Sequence, residues 1–220
     1  MPGAARRVDV VVFDVGETIV SEERIWGRWA DRLGVARFDF FAVLGALIEA
    51  DRHHREVFEV FSPGFDVDAA MATDPLFGAF DGDDLYPDTR PCFEALRAAG
   101  YGIGLAGNQP ARAEDALRAI GLDVDFVAAS RRWGVEKPSP GFFAKVAEEA
   151  GVAAERVAYV GDRLDNDVLP AIDAGMVAVF LRRGPWGWIH ARRTEVARAH
   201  LRIGSLAELA PALARPHPGP

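Results

Sequence analysis

The sequence predicts an α/β fold: a doubly wound, Rossmann-like parallel sheet with a helical segment inserted after the first strand. Three observations carry this expectation. Short β-like runs alternate with helical stretches. The helices are punctuated by N-caps and closing glycines. One long stretch after the first strand shows helical periodicity alone.

Val8–Phe13 is the first expected strand, and Tyr101–Ala106, entered through Gly100, is the second. Phe126–Ala129, Val157–Val160 and Val177–Leu181 follow. Helices are expected over Asp88–Ala99, Pro110–Ile120 and Pro140–Ala150, stopping at Gly100, Gly121 and Gly151, because glycine adopts the left-handed backbone that closes a helix. Ser139 is placed to cap the third, and Ser205 with Glu208 has the spacing of a capping box. Between Ile19 and Leu85 no convincing strand is found. Ser21, Glu22 and Glu23 suit a helix start, and Ile25, Trp29 and Leu33 recur every fourth residue until Gly34. Phe38–Phe61 is a second apolar, helix-like region, while Met71–Asp84 is acidic and turn-rich. The expected division is a core of residues 1–19 and 86–220 and a helical cap of residues 20–85, with linkers near Val20 and Tyr86. The proline-rich stretch Pro211–Pro220 is expected to fray.

Composition narrows the function classes. With 220 residues, 50% of them hydrophobic and 26% charged, the chain suits one substantial core plus an inserted subdomain. Its apolar runs are far shorter than a membrane span, and no secretion leader is read at the start, so no membrane partner is expected. The lone Cys92 has no internal disulfide partner, which fits a cytoplasmic location, and packing is its expected role. A net charge of −8, without a long basic run before the last forty residues, argues against nucleic acid as a partner. An anionic substrate must then be drawn in by local cations or a metal.

The first strand runs into Val11-Val12-Phe13-Asp14-Val15-Gly16-Glu17-Thr18. A carboxylate at the end of a buried strand is costly unless used, and strand carboxyl ends are where open α/β sheets bind ligands. Lys137-Pro138 comes later, then Val160-Gly161-Asp162-Arg163-Leu164-Asp165-Asn166-Asp167, a second strand running into carboxylates.

Asp14, Thr18, Lys137, Asp162 and Asp167, in this order, resemble the haloacid dehalogenase-like (HAD) hydrolases over about Val8 to Leu181. The insert position resembles the helical-cap subclass. The resemblance implies Asp14 as nucleophile on phosphorus, forming an aspartyl phosphate. It implies Mg2+ held by Asp14, Asp162 and the backbone carbonyl of Gly16, with Asp167 binding directly or through water. Lys137 is the second cation, and Thr18, Gly107, Asn108 and Lys137 take the phosphate-binding positions.

This chain departs from the pattern in its first and second motifs. Gly16 stands where phosphatases of the family carry an acid/base aspartate, and Glu17 where they usually carry glycine. Gly107 replaces the usual Ser or Thr. General acid–base help is worth ~10²–10⁴-fold, so alkoxide leaving groups should suffer most; a gain of alkyl-phosphatase rate in Gly16→Asp would show that only the proton donor is missing. The leading expectation is an Mg-dependent phosphatase of small phosphorylated metabolites, with weak turnover. A non-catalytic phosphate-ligand-binding or regulatory protein and a carbon–halogen hydrolase are the alternatives.

Other residues carry plainer expectations. Glu17 should be solvated or touch the cap, and Asp165 should be solvated. Arg24 and Trp26 should pack or face solvent, and His53 and His54 should point to different faces. Arg131, Arg132 and Trp133 either border the mouth or lie on the surface. In the basic Arg182–Arg202 stretch, Trp186 and Trp188 should pack on the sheet edge.

Overall fold

The computed structural model describes residues 8–74, 76 and 79–215. Its centre is a six-stranded sheet in the order β3-β2-β1-β4-β5-β6, parallel throughout. The strands are β1 (Val10–Phe13), β2 (Gly102–Gly107), β3 (Phe126–Ala129), β4 (Val157–Gly161), β5 (Val177–Leu181) and β6 (Leu201–Ile203). β1 is buried on both faces. Val11 and Phe13 join one core cluster, whereas Val10 and Val12 join the other with Phe142 and Tyr159. That two-sided burial makes the strand read as a continuous apolar run.

The five strands expected from the sequence are present, with the second displaced by one residue. β6 is the strand the sequence did not reveal. It has three residues, is buried only at Ile203 and lies at the edge, so its apolar signal is small.

Helices cover the sheet. α5 (Thr89–Ala98) precedes β2, and α6 (Ala113–Ala119) precedes β3; α6 starts later than Pro110 suggested. After β3 come α7 (Ser130–Trp133) and α8 (Pro140–Ala150), whose N-cap Ser139 accepts from Gly141 N. α9 (Leu169–Asp173), α10 (Gly184–His190) and α11 (Leu209–Leu213) complete the core. The expected capping box is shifted: Ser205 Oγ accepts from Ala207 N, but Glu208 Oε1 takes Gly204 N–H, not that of Ser205. Pro211 lies inside α11, so the chain stays helical where fraying was expected; Pro216–Pro220 fall outside the described residues.

Between β1 and α5 run four helices: α1 (Glu23–Leu33), α2 (Arg37–Glu49), α3 (Glu56–Phe61) and α4 (Val67–Thr73). The Phe38–Phe61 region is therefore two helices, separated where Asp51 takes a left-handed φ of 55°. Trp26, Trp29, Phe40 and Phe58 form the aromatic centre of this bundle, with Phe58 edge-on to Trp29 at 5.4 Å between centroids. The chain entering and leaving the bundle is stitched by an antiparallel bridge between Val20 and Leu85. No helix among the described residues is long and apolar enough to cross a membrane.

The strand order positions the site. After β1 the chain builds outward to β2 and β3, then returns to place β4 on the other flank of β1. The crevice beyond the carboxyl end of β1 is thus a topological switch point, bordered by the ends of β2 and β4.

Close packing of β2 against β3 gives a test. A Cβ at Gly104 would lie 2.2 Å from the Phe126 ring. Gly104→Val, favourable on strand propensity alone, is expected to destabilise by about 1–3 kcal/mol through overpacking, read as a lower urea midpoint.

Candidate active site

Asp14 follows β1 directly, and its N–H still donates to Val160 O at 2.9 Å, which fixes the residue at the sheet's rim. Lys137 Nζ reaches Asp14 Oδ1 at 2.6 Å and Asp167 Oδ1 at 2.5 Å. Asp162 follows β4, and one carboxylate oxygen each from Asp14, Asp162 and Asp167 lie within 4.8 Å of one another. Residues separated by more than a hundred positions thus converge on one point.

Asp167 sits on a wide helical turn, Leu164–Val168, and its Oδ2 accepts from Arg163 N at 3.0 Å. A Cβ at Gly161 would collide with that carboxylate at 2.3 Å, so β4 must end in glycine here. Asn108 grips Lys137 by its backbone: Asn108 Oδ1 accepts from Lys137 N at 2.8 Å, and Asn108 Nδ2 donates to Lys137 O at 3.0 Å. Its amide therefore positions the lysine. Gly107 is also tightly fitted, because a Cβ there would lie 2.7 Å from Asp14 Oδ1. Thr18 is fully buried, its hydroxyl lacks a partner among the described residues, and its carbonyl accepts from Arg183. Thr18 supports the loop from beneath and does not line the cavity.

The electrostatics are unbalanced. Three carboxylates face one ammonium, leaving two negative charges that a divalent cation would match. Burial opposes the Lys137 charge, but Asp14 and Asp167 raise its pKa well above the usual lysine value. Burial, then the Asp167 and Asp14 charges, pushes Asp162 well above the ordinary carboxylate range. Both Asp162 oxygens are buried without a partner among the described residues. Such an orphaned carboxylate is unfavourable by itself and fits an oxygen-ligated Mg2+.

A cavity of about 170 Å³ opens above Asp14. Beyond the expected residues it is lined by Glu22, His54, Arg55, Gln109, Arg163 and Asn166, none of which the sequence had marked for the site. Trp186 also lines it and packs edge-on to His54, with α10 lying against α2. Trp186 therefore meets the helical insert instead of the sheet edge, which β6 occupies, and Trp188 is exposed beneath the Arg182 guanidinium. His53 and His54 stack at 4.5 Å, correcting the expectation of separate solvated faces. Arg24 instead pairs with Asp84, and Trp26 is buried. Arg131 borders the adjoining cleft, Arg132 pairs with Glu114, and Trp133 packs on Phe142. Asp165 is exposed and paired with Arg163.

Glu17 adopts a left-handed φ of 53°, at the position where glycine is usual in the resembled pattern. It is buried, accepting from Glu22 N at 2.7 Å and from the Tyr86 hydroxyl. Glu17 is therefore not solvated; it ties the loop to the start of the insert. Burial raises its pKa against the lowering effect of Tyr86. Glu22 turns back over Gly16, and a Cβ built on Gly16 would lie 2.5 Å from Glu22 Oε1. Burial and the nearby Glu17 charge push the Glu22 carboxyl up to about 7. An aspartate at position 16 would require the Glu22 carboxyl to move aside.

With the geometry in place, comparison with known proteins becomes decisive. The family model for haloacid dehalogenase-like hydrolases matches residues 8–175. The chain belongs to that family. Among curated HAD relatives, glyceraldehyde 3-phosphate phosphatase of Methanopyrus kandleri is 39% identical over 104 residues, 46% of this chain and 45% of the relative. Phosphoglycolate phosphatase of Escherichia coli K12 is 30% identical over 142 residues, 63% of this chain and 55% of the relative. The chain spans about half the length of the curated relatives it matches. The crystal structure of a HAD phosphatase from Thermococcus onnurineus aligns with TM-score 0.61 at 25% identity, covering 94% of this chain and 98% of the other. A dehalogenase structure aligns with TM-score 0.70 at 19% identity over 97% and 100%, a likeness of fold alone.

One support of the site titrates. Leu164 N donates to His190 Nδ1 at 3.0 Å, where the buried ring must be neutral to accept. Burial lowers its pKa from 6.5 to about 4. The unfolded chain therefore binds a proton that the folded one refuses, so stability should fall as pH drops from 6.5 towards about 4. The loss is up to about 1.4 kcal/mol per pH unit for this group, and His190→Asn should flatten that part of the curve in urea titrations across pH.

Proposed function

We propose that the chain is a magnesium-dependent phosphatase acting through an aspartyl phosphate at Asp14 on small phosphorylated metabolites. The observation that carries this reading is the Asp14–Lys137–Asp167 array beside an Asp162 carboxylate with no protein partner. Asp14 and Asp162 would hold the metal, with Asp167 beside them. When bound, Mg2+ supplies positive charge that lets a phosphate dianion approach a carboxylate. Lys137 orients Asp14 Oδ1 and offers its ammonium to the phosphoryl oxygens. Asn108 keeps that lysine in place through its backbone. Attack joins an Asp14 oxygen to phosphorus as the ester oxygen leaves, and water then cleaves the acyl phosphate.

The relatives' activities support substrates of two or three carbons, such as phosphoglycolate or glyceraldehyde 3-phosphate. Arg55, His54, Gln109 and Asn166 also line this cavity and can select the rest of the molecule. Residues 20–85, closed at their base by the Val20–Leu85 bridge, form the cap that supplies His54 and Arg55.

Two outcomes check this reading. Incubation with labelled acetyl phosphate and Mg2+ should yield an acid-stable phosphoenzyme in the wild type and none in Asp14→Asn; label on the variant rules out Asp14 as nucleophile. Asp162→Asn should change the stability of the metal-free protein by less than about 1 kcal/mol, because burial already disfavours the charged form of that carboxyl. It should also abolish the rise in melting temperature on adding Mg2+, read by calorimetry.

A further inference from the structure

We propose that Glu22, at the entrance to the helical insert, is the proton-transfer carboxyl of this site, filling the place vacated at Gly16. The proposal rests on the phosphatase reading above and adds a catalytic residue to it.

The argument is one of space. A side chain at position 16 would start at a Cβ that lies 2.5 Å from Glu22 Oε1, 2.6 Å from Glu22 Cδ and 3.1 Å from Glu22 Oε2. The Glu22 carboxyl therefore occupies the volume that an aspartate side chain at position 16 would take. Gly16 is not an empty gap; its missing side chain is what admits Glu22. Asp14, Gly16 and Glu22 line the same cavity, which places Glu22 beside the nucleophile's side of the site.

The Glu22 side chain is held in this pose. Trp26 Nε1, one helical turn further on, donates to Glu22 Oε2 at 3.2 Å. Oε1, the nearer oxygen to Gly16, receives no hydrogen bond from that indole. The backbone is anchored separately, because Glu22 N donates to Glu17 Oε1 at 2.7 Å and Glu22 O accepts from Trp26 N at 2.9 Å. Glu17 lies nearer in sequence but is not the stand-in, since Tyr86 and Glu22 N engage its two oxygens.

The chemistry balances without a further reactant. As an Asp14 oxygen bonds to phosphorus, the phosphorus–ester bond breaks and Glu22 gives its proton to the departing oxygen. Glu22, now a carboxylate, takes a proton from the water that attacks phosphorus. The Asp14–phosphorus bond then breaks, releasing inorganic phosphate and returning Asp14 and a protonated Glu22. Because Glu22 belongs to the insert, movement of that segment would carry the proton donor to or from the site.

The test compares wild type, Glu22→Gln and Gly16→Asp/Glu22→Ala in rapid-quench assays with Mg2+, using 4-nitrophenyl phosphate and an alkyl ester such as phosphoglycolate. Gln keeps an acceptor for Trp26, and a thermal melt verifies folding. In Glu22→Gln the phosphorylation rate from 4-nitrophenyl phosphate should stay within about threefold, because that leaving group needs little protonation. Phosphorylation from the alkyl ester should fall ~10²–10⁴-fold, and phosphoenzyme hydrolysis should slow so that labelled protein accumulates. The double variant should regain at least a tenth of the wild-type alkyl-ester rate, whereas Gly16→Asp alone should not exceed wild type. Equal loss on both substrates, no loss on either, or no rescue overturns the Glu22 assignment while leaving the phosphatase reading standing. Absence of any phosphoenzyme in the wild type overturns both.

Discussion

The ammonium of Lys137 sits between Asp14 and Asp167, and the geometry of the site follows from that contact. A buried lysine is tolerated only when paired, and two carboxylates at this depth repel each other unless a cation lies between them. Both constraints are met by one group. Asn108 holds the lysine by its backbone, Gly107 and Gly161 leave room for the two carboxylates, and the Arg163 N–H fixes the second oxygen of Asp167. Asp162 remains outside this network, its two buried oxygens without a partner among the described residues.

The departures from the family pattern gain meaning from the same crowding. Gly107 avoids a clash with Asp14, so its lost hydroxyl is the consequence of a tighter pocket floor. Gly16 opens the space that Glu22 enters. Glu17 takes a left-handed backbone position that glycine would occupy without strain, and its carboxylate binds the N–H of Glu22. These neighbouring changes are one coordinated rearrangement at the junction of core and insert. On our proposal the proton-transfer group sits at the N-cap of α1 instead of the strand end.

Much of this was legible in advance. Strands such as Phe126–Ala129 and Val177–Leu181 read correctly to the residue because strands buried along their whole length leave an uninterrupted apolar run. Pro140–Ala150 was equally clear, with a serine cap, a proline at its first position and a closing glycine. β6 was not, because its three residues carry almost no pattern. Asp14 and Asp162 could be picked out because each follows a strand at the sheet's carboxyl edge, and Lys137 and Asp167 because they continue the resembled motif order. Glu22, His54 and Trp186 carried no such mark. A glutamate before a helix, a histidine in a loop and a tryptophan in a basic stretch each have ordinary explanations along the chain.

The sequence by itself determined five of the six strands, since these depend on periodicity, caps and residue types along the chain, while the grouping of the carboxylates followed from the resembled motif order. Only the tertiary structure decided what surrounds them. Whether Gly16 leaves a hole or a berth depends on a side chain arriving from another element. Whether Asn108 holds a substrate or a lysine depends on where residue 137 returns. Contacts of that kind are set by close packing across the fold, where a shift of one ångström changes the partner, and no local pattern encodes them.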